Sequence, residues 1–231
     1  MTGVADRRAD HQPETSERLH TRVELGNLVD HGLRDGPAAG TDGALALLDV
    51  KRGDIGSTMA AYAGAYLDPG SPLRADAITV SPYLGVGSLR PAFDAAAAHG
   101  AGVFVLALTS NPEGPTVQHA VTAGGRTVAQ TVIDEISQLN EGASPLGSIG
   151  LVVGATIGDT GHDLSKVNGP LLAPGLGAQG GTPEQLRAIF GESLQNVLPS
   201  YSREVLSAGP DPAGLRAAAQ RAADACRAVL G

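Results

Sequence analysis

From residue 44 onward, short apolar runs alternate with helical stretches, and that alternation restricts the chain to a parallel α/β fold. Ala44–Leu48, Ala77–Val80, Gly102–Leu108, Ile149–Val153, Pro170–Ala173 and Asn196–Pro199 read as strands. Gly102–Leu108 is apolar without interruption, as a strand covered on both faces requires. Helices are expected over Ser57–Tyr66, Leu89–His99, a long Thr116–Glu141, Pro183–Phe190 and Pro212–Leu230. Parallel neighbours joined this way need right-handed crossovers. Six such units suffice for an open sheet, whereas a closed barrel needs eight.

The first 43 residues break the rhythm. Met1–Gly43 is charged and polar, with a weak helical pattern (Leu25, Leu28, Val29, Leu33) ending at Gly36-Pro37. It reads as one amphipathic helix and a poorly ordered tail, with no buried strand. The division is therefore an atypical segment over 1–43 and an α/β domain over 44–231.

Charge excludes one class of partner. A net charge of −8 offers no basic stripe to neutralise phosphates, so no nucleic-acid surface is expected. A single cysteine, Cys226, allows no internal disulfide and suits a reduced, cytoplasmic protein. No apolar stretch reaches the 18 residues of a membrane span. With no tryptophan and 32 glycines, the core must be built from Val, Leu, Ile and Ala, with many tight loops.

Lys51 is one of only two lysines, the other being Lys166. It lies in Asp49-Val-Lys51-Arg-Gly-Asp54, at the end of the first apolar run, where α/β enzymes keep their chemistry. Arginine serves the chain's other needs for positive charge, so a lysine here points to a proton that must be handed over. The competing reading is a solvated cluster of charges in a loop.

Gly175-Leu-Gly177-Ala-Gln-Gly180 matches the dinucleotide pattern G-x-G-x-x-G. That reading also needs an acid at the end of the next strand, which instead ends at Leu198-Pro199. A nest of backbone amides around a phosphate fits better. His99, His119 and His162 show no ligand spacing and read as structural or solvated, and Cys226 as a small core residue. Tyr83 is equally compatible with a packed loop and with closure over a ligand.

Five segments at strand ends, taken together, resemble one family. They are Asp49–Thr58, Ser81-Pro-Tyr-Leu-Gly85, Leu108-Thr-Ser110-Asn-Pro-Glu-Gly114, Pro174-Gly-Leu-Gly-Ala-Gln179-Gly-Gly181 and Ser202-Arg203. In order and placement they are similar to orotidine 5′-phosphate decarboxylases of the longer bacterial branch. The resemblance implies a (β/α)8 TIM barrel acting as a homodimer, with no cofactor and no metal. Its substrate would be orotidine 5′-monophosphate and its products UMP and CO2. Lys51 would protonate C6 and Asp49 would sit beside the leaving carboxylate. Asp54 and Thr58 would enter the neighbouring subunit's site and contact the ribose. Ser110 would meet the pyrimidine, Gln179 would bridge phosphate and base with Gly180 beside it in the substrate-binding loop, and Arg203 with nearby backbone amides would hold the phosphate.

The family also carries an aspartate and a second lysine on its first two strands. This chain has no lysine before Lys51 and no strand-like run to hold one, so the barrel is expected to be incomplete and its activity open. Two other functions compete. A Mg²⁺-dependent sugar-phosphate decarboxylase shares the Asp-x-Lys-x-x-Asp strand, and a non-catalytic phosphate-ligand binder would tolerate the missing lysine.

Overall fold

The computed structural model describes residues 45–159 and 161–231. The expectation for Met1–Gly43 lies outside the described residues, as does Ala44 of the first expected strand.

Six parallel strands form one sheet in strict chain order: β1 (Leu47–Arg52), β2 (Ala77–Val80), β3 (Gly102–Leu108), β4 (Ile149–Val153), β5 (Leu171–Pro174) and β6 (Val197–Ser200). Sequential order has a physical meaning. Every crossover steps the same way, so the sheet is wound in one direction and has no reversal point of the kind a dinucleotide fold uses. Among the described residues, β1 and β6 each pair on one side only. The sheet is thus six strands of a singly wound barrel, in line with the expected incomplete (β/α)8 architecture.

Alternation along the strands sorts side chains into two layers. Ile78, Val80, Val103, Val105, Leu151, Val153, Leu171 and Ala173 face the helices and belong to the main core. Phe104, Val152 and Leu172 form a second cluster on the other face, flanked by Leu47, Ala77, Leu106 and Leu198.

The helical layer comprises α1 (Gly56–Leu67), α2 (Arg90–His99), α3 (Gly114–Gln118), α4 (Val128–Leu139), α5 (Pro183–Phe190), α6 (Arg203–Leu206) and α7 (Pro212–Leu230), with single 3₁₀ segments at Val86–Leu89 and Gly191–Asn196. In α1, Met59, Ala63 and Leu67 recur every fourth residue and are buried, one turn above another. Asp211 caps α7 by accepting the Gly214 N–H at 2.9 Å.

Three expectations need correction. The single helix over Thr116–Glu141 is two helices, α3 and α4, separated by a turn. Gly124-Gly125 interrupts the helix, Gly125 has a φ of 77°, and Thr122 pairs with Arg126 to close the turn. Thr127 then restarts the helix by accepting the Gln130 N–H at 3.0 Å. The last two strands begin one residue later than expected, at Leu171 and Val197. Finally, β1 runs on to Arg52, so Asp49 and Lys51 lie within the strand rather than after it.

Candidate active site

The end of β1 is irregular. Leu48 stands opposite Ile78 and Arg52 opposite Val80, so four steps along β1 match two along β2. This bulge gathers the motif residues at the strand end, where such irregularities re-aim side chains. Lys51 itself has a φ of 45°, a left-handed conformation that costs a non-glycine residue about 1–2 kcal/mol. Strain of this kind persists only where the surroundings impose it.

Those surroundings are polar. The Lys51 ammonium pairs directly with Asp49 Oδ2. Thr79 on β2 donates its hydroxyl to Asp49 Oδ1 at 2.8 Å and accepts the Lys51 N–H at 2.9 Å. Just beyond, Ser81 N–H donates to the Arg52 carbonyl at 2.7 Å. Gly53 passes so close that an added Cβ would lie 2.4 Å from the Ser81 carbonyl oxygen, and no other residue fits there. Arg52 points to the opposite face, with its guanidinium 5.5 Å from the centre of the Tyr62 ring.

A second cluster forms across β5 and β6. Pro174, Gly175, Leu176, Ala178, Gln179, Ser200, Ser202 and Arg203 line a small open cleft. The glycines make its floor. Gly175, Gly177 and Gly180 have φ of 110°, 69° and 91°, and the loop closes on itself through the N–H groups of Gly177, Gly180 and Gly181. This revises the picture of an open nest, because three of its amides serve the loop's own carbonyls. Thr182 and Gln185 form a capping box that starts α5 directly after the loop. The following strand ends at Ser200 without an acid, and the dinucleotide reading has no support.

The expected site residues therefore fall into distinct groups. Asp49 and Lys51 are in contact, and Gln179 and Arg203 share the cleft; Gly180 lies in the same loop. Asp54 accepts the N–H of Ile55 at 2.7 Å, just before α1. Thr58 is exposed on the first turn of that helix. Ser110 follows β3 and stands close to Gly154 after β4.

Sequence reasoning missed Thr79, although a lone polar residue within Ala-Ile-Thr-Val was a usable signal. It also treated His119 and His162 as unrelated. Their rings lie 5.6 Å apart, and His162 Nε2 is 2.8 Å from Thr127 Oγ1. Cys226 is fully buried, and burial pushes its thiol up, in keeping with a core residue. Tyr83 is 79% exposed, so it is not a packed loop aromatic.

Comparison with known proteins gives this geometry a family. The model of the "Orotidine 5′-phosphate decarboxylase / HUMPS family" matches residues 37–218. The orotidine 5′-phosphate decarboxylase of Salinispora arenicola is 75% identical over 188 residues, covering 81% of this chain and 68% of the relative. That of Streptomyces coelicolor is 52% identical over 233 residues, covering 100% of this chain and 82% of the relative. A crystal structure from Streptomyces avermitilis bearing the same enzyme name superposes with a TM-score of 0.79 at 59% identity. It covers 81% of this chain and 66% of that one, so the match spans about two thirds of the solved protein. The structure of Leishmania donovani OMP decarboxylase, at 31% identity, gives 0.63 over 82% of this chain and 70% of its own. With the singly wound sheet, the Asp49–Lys51 pair and the cleft at Gln179 and Arg203 all in hand, the chain belongs to the orotidine 5′-phosphate decarboxylase family.

Proposed function

We propose that this chain decarboxylates orotidine 5′-monophosphate to UMP and CO2 in pyrimidine biosynthesis, with Lys51 as the proton donor. Family membership supports the reaction, and the Asp49–Lys51 contact on β1 is the observation that carries the residue assignment. As the bond from C6 to the carboxyl group breaks, an electron pair is left on a ring carbon that cannot delocalise it well. An ammonium at that carbon stabilises the developing charge and then supplies its proton. Asp49 beside the substrate carboxylate disfavours the charged ground state more than departing neutral CO2.

Binding energy for assembling like charges comes from the remote end of the ligand. The cleft between β5 and β6 suits a phosphate. Arg203 supplies a guanidinium, and the Ala178 and Gln179 amides take no part in the loop's own bonds. Gln179 would bridge phosphate and base, Gly180 would let the loop approach, and Ser110 would meet the pyrimidine.

The same reading makes the enzyme a homodimer, with Asp54 and Thr58 reaching the neighbour's ribose. Ile55, between them in sequence, is 63% exposed, which suits a surface that a second copy covers. A cytoplasmic location is part of the same proposal, and the single free cysteine, Cys226, suits a reducing compartment.

The deciding experiment follows orotidylate to UMP by ultraviolet absorbance, with and without EDTA. Turnover that EDTA leaves unchanged supports the metal-free reaction. Tight UMP binding without turnover would leave only a phosphate-ligand binder, and EDTA-sensitive turnover of a sugar phosphate would point to the Mg²⁺ enzyme.

A further inference from the structure

Thr79 is the only polar residue of β2 and is fully buried. A buried hydroxyl needs partners, and this one has two that complement each other. The Lys51 N–H can only donate, so it occupies a lone pair of Oγ1 and leaves the hydroxyl proton for Asp49 Oδ1. Asp49 keeps Oδ2 for the Lys51 ammonium. One hydroxyl on the neighbouring strand therefore holds the backbone of the proposed proton donor and the carboxylate paired with it.

We propose that Thr79 is a positioning residue for the decarboxylation: it touches no substrate, and it fixes where Lys51 and Asp49 stand relative to each other. The inference rests on the roles assigned to Lys51 and Asp49 above. Two observations make the tether necessary. The bulge frees β1 from regular pairing with β2 at this point, and Lys51 sits at a φ of 45° that an unrestrained lysine leaves. A carboxylate bound through both oxygens also cannot rotate about its terminal torsion, which is otherwise broad. Removal of the hydroxyl releases both groups without altering the phosphate cleft on β5 and β6.

Two variants of the full chain test this. Thr79→Val keeps the branched shape and removes the hydroxyl, while Thr79→Ser keeps the hydroxyl. The valine variant should lose about 10- to 100-fold in kcat, the scale set by small misplacements of reacting groups. Its KM should not rise more than about threefold above the parent's, because the phosphate cleft that supplies the binding energy is untouched. The serine variant should recover kcat to within about threefold. Independently of turnover, the Lys51 amide should exchange with deuterium at least about tenfold faster in the valine variant, with the amides of Val105 and Leu151 unchanged. Parent-like kcat and exchange in Thr79→Val would overturn the proposal. So would a serine variant as impaired as the valine one, or faster exchange across the whole sheet, which would mark a merely structural role. Retained activity in Lys51→Ala would defeat the functional assignment instead, and the exchange measurement would still decide whether Thr79 tethers Lys51.

Discussion

The two ends of the site are built by opposite means. At β1 the geometry comes from side chains that constrain one another: a bulge, a left-handed lysine, and a carboxylate shared between an ammonium and a hydroxyl. At β5 and β6 it comes from missing side chains, with glycines at positive φ folding a loop that bonds to itself. The first arrangement can hold charges in an unfavourable juxtaposition, as transition-state stabilisation requires. The second offers preformed space and binding energy. Damage to the β1 end should therefore appear in kcat, and damage to the β5–β6 end in KM.

The largest effect is expected for Lys51→Ala. If Lys51 is the proton donor proposed above, its loss should cost at least about three orders of magnitude in kcat, roughly 4 kcal/mol, while UMP affinity stays near the parent's. Calorimetric titration of UMP beside steady-state kinetics checks both halves. Activity within about tenfold of the parent would remove Lys51 from the mechanism.

Mixing variants sharpens the comparison across an interface. Asp54→Asn and Lys51→Ala, each inactive alone, should together regain up to about a quarter of parental activity if Asp54 serves the neighbour's site, since random exchange leaves that share of sites intact. Native mass spectrometry verifies exchange. Exchange without recovery would show that Asp54 acts within its own chain.

At the other end, Arg203→Ala should raise KM by about 10- to 100-fold, the worth of the charge-assisted phosphate contact proposed for it, with a smaller change in kcat. Gly181→Ala should act in the same direction. An added Cβ would stand 2.6 Å from the Gly175 carbonyl oxygen, and the loop must shift to relieve it. A fall in kcat alone for either variant would break the division between the two ends.

The sequence conveyed the architecture better than the site, for a physical reason. β2, β3, β4, α5 and α7 occupy the expected bounds because a covered strand must be apolar throughout and an amphipathic helix must repeat its apolar residues. Those signals are local. Gly124-Gly125, which divides Thr116–Glu141, is a local signal too, since a glycine pair breaks a helix. The positive φ of Lys51 and the role of Thr79 have no local cause. They arise only when β1 and β2 pair out of step, and neither strand's own pattern encodes that. The same holds for the approach of His119 to His162 across 43 residues of chain.

The smallest effect should come from the other face of β1. Arg52 stacks over Tyr62, and a hydrogen bond to Tyr66 holds its guanidinium more firmly protonated. The cation–π contact is worth about 0.5–2 kcal/mol and the hydrogen bond about 0.5–1.5 kcal/mol. Against them stands the Arg52 Nε, buried without a hydrogen-bond partner, a cost of about 1–3 kcal/mol. Gain and cost nearly cancel. Arg52→Met keeps the apolar stem against Tyr62 and removes both the cation and the unpaired donor, so stability should change by less than about 1 kcal/mol in a urea melt. Because the guanidinium faces the helices while Asp49 and Lys51 face Thr79, kcat should stay within about twofold. A tenfold loss in kcat at unchanged stability would show that strain at Lys51 is held from the helix side as well, and the contrast between the two ends of the site would then have to include α1.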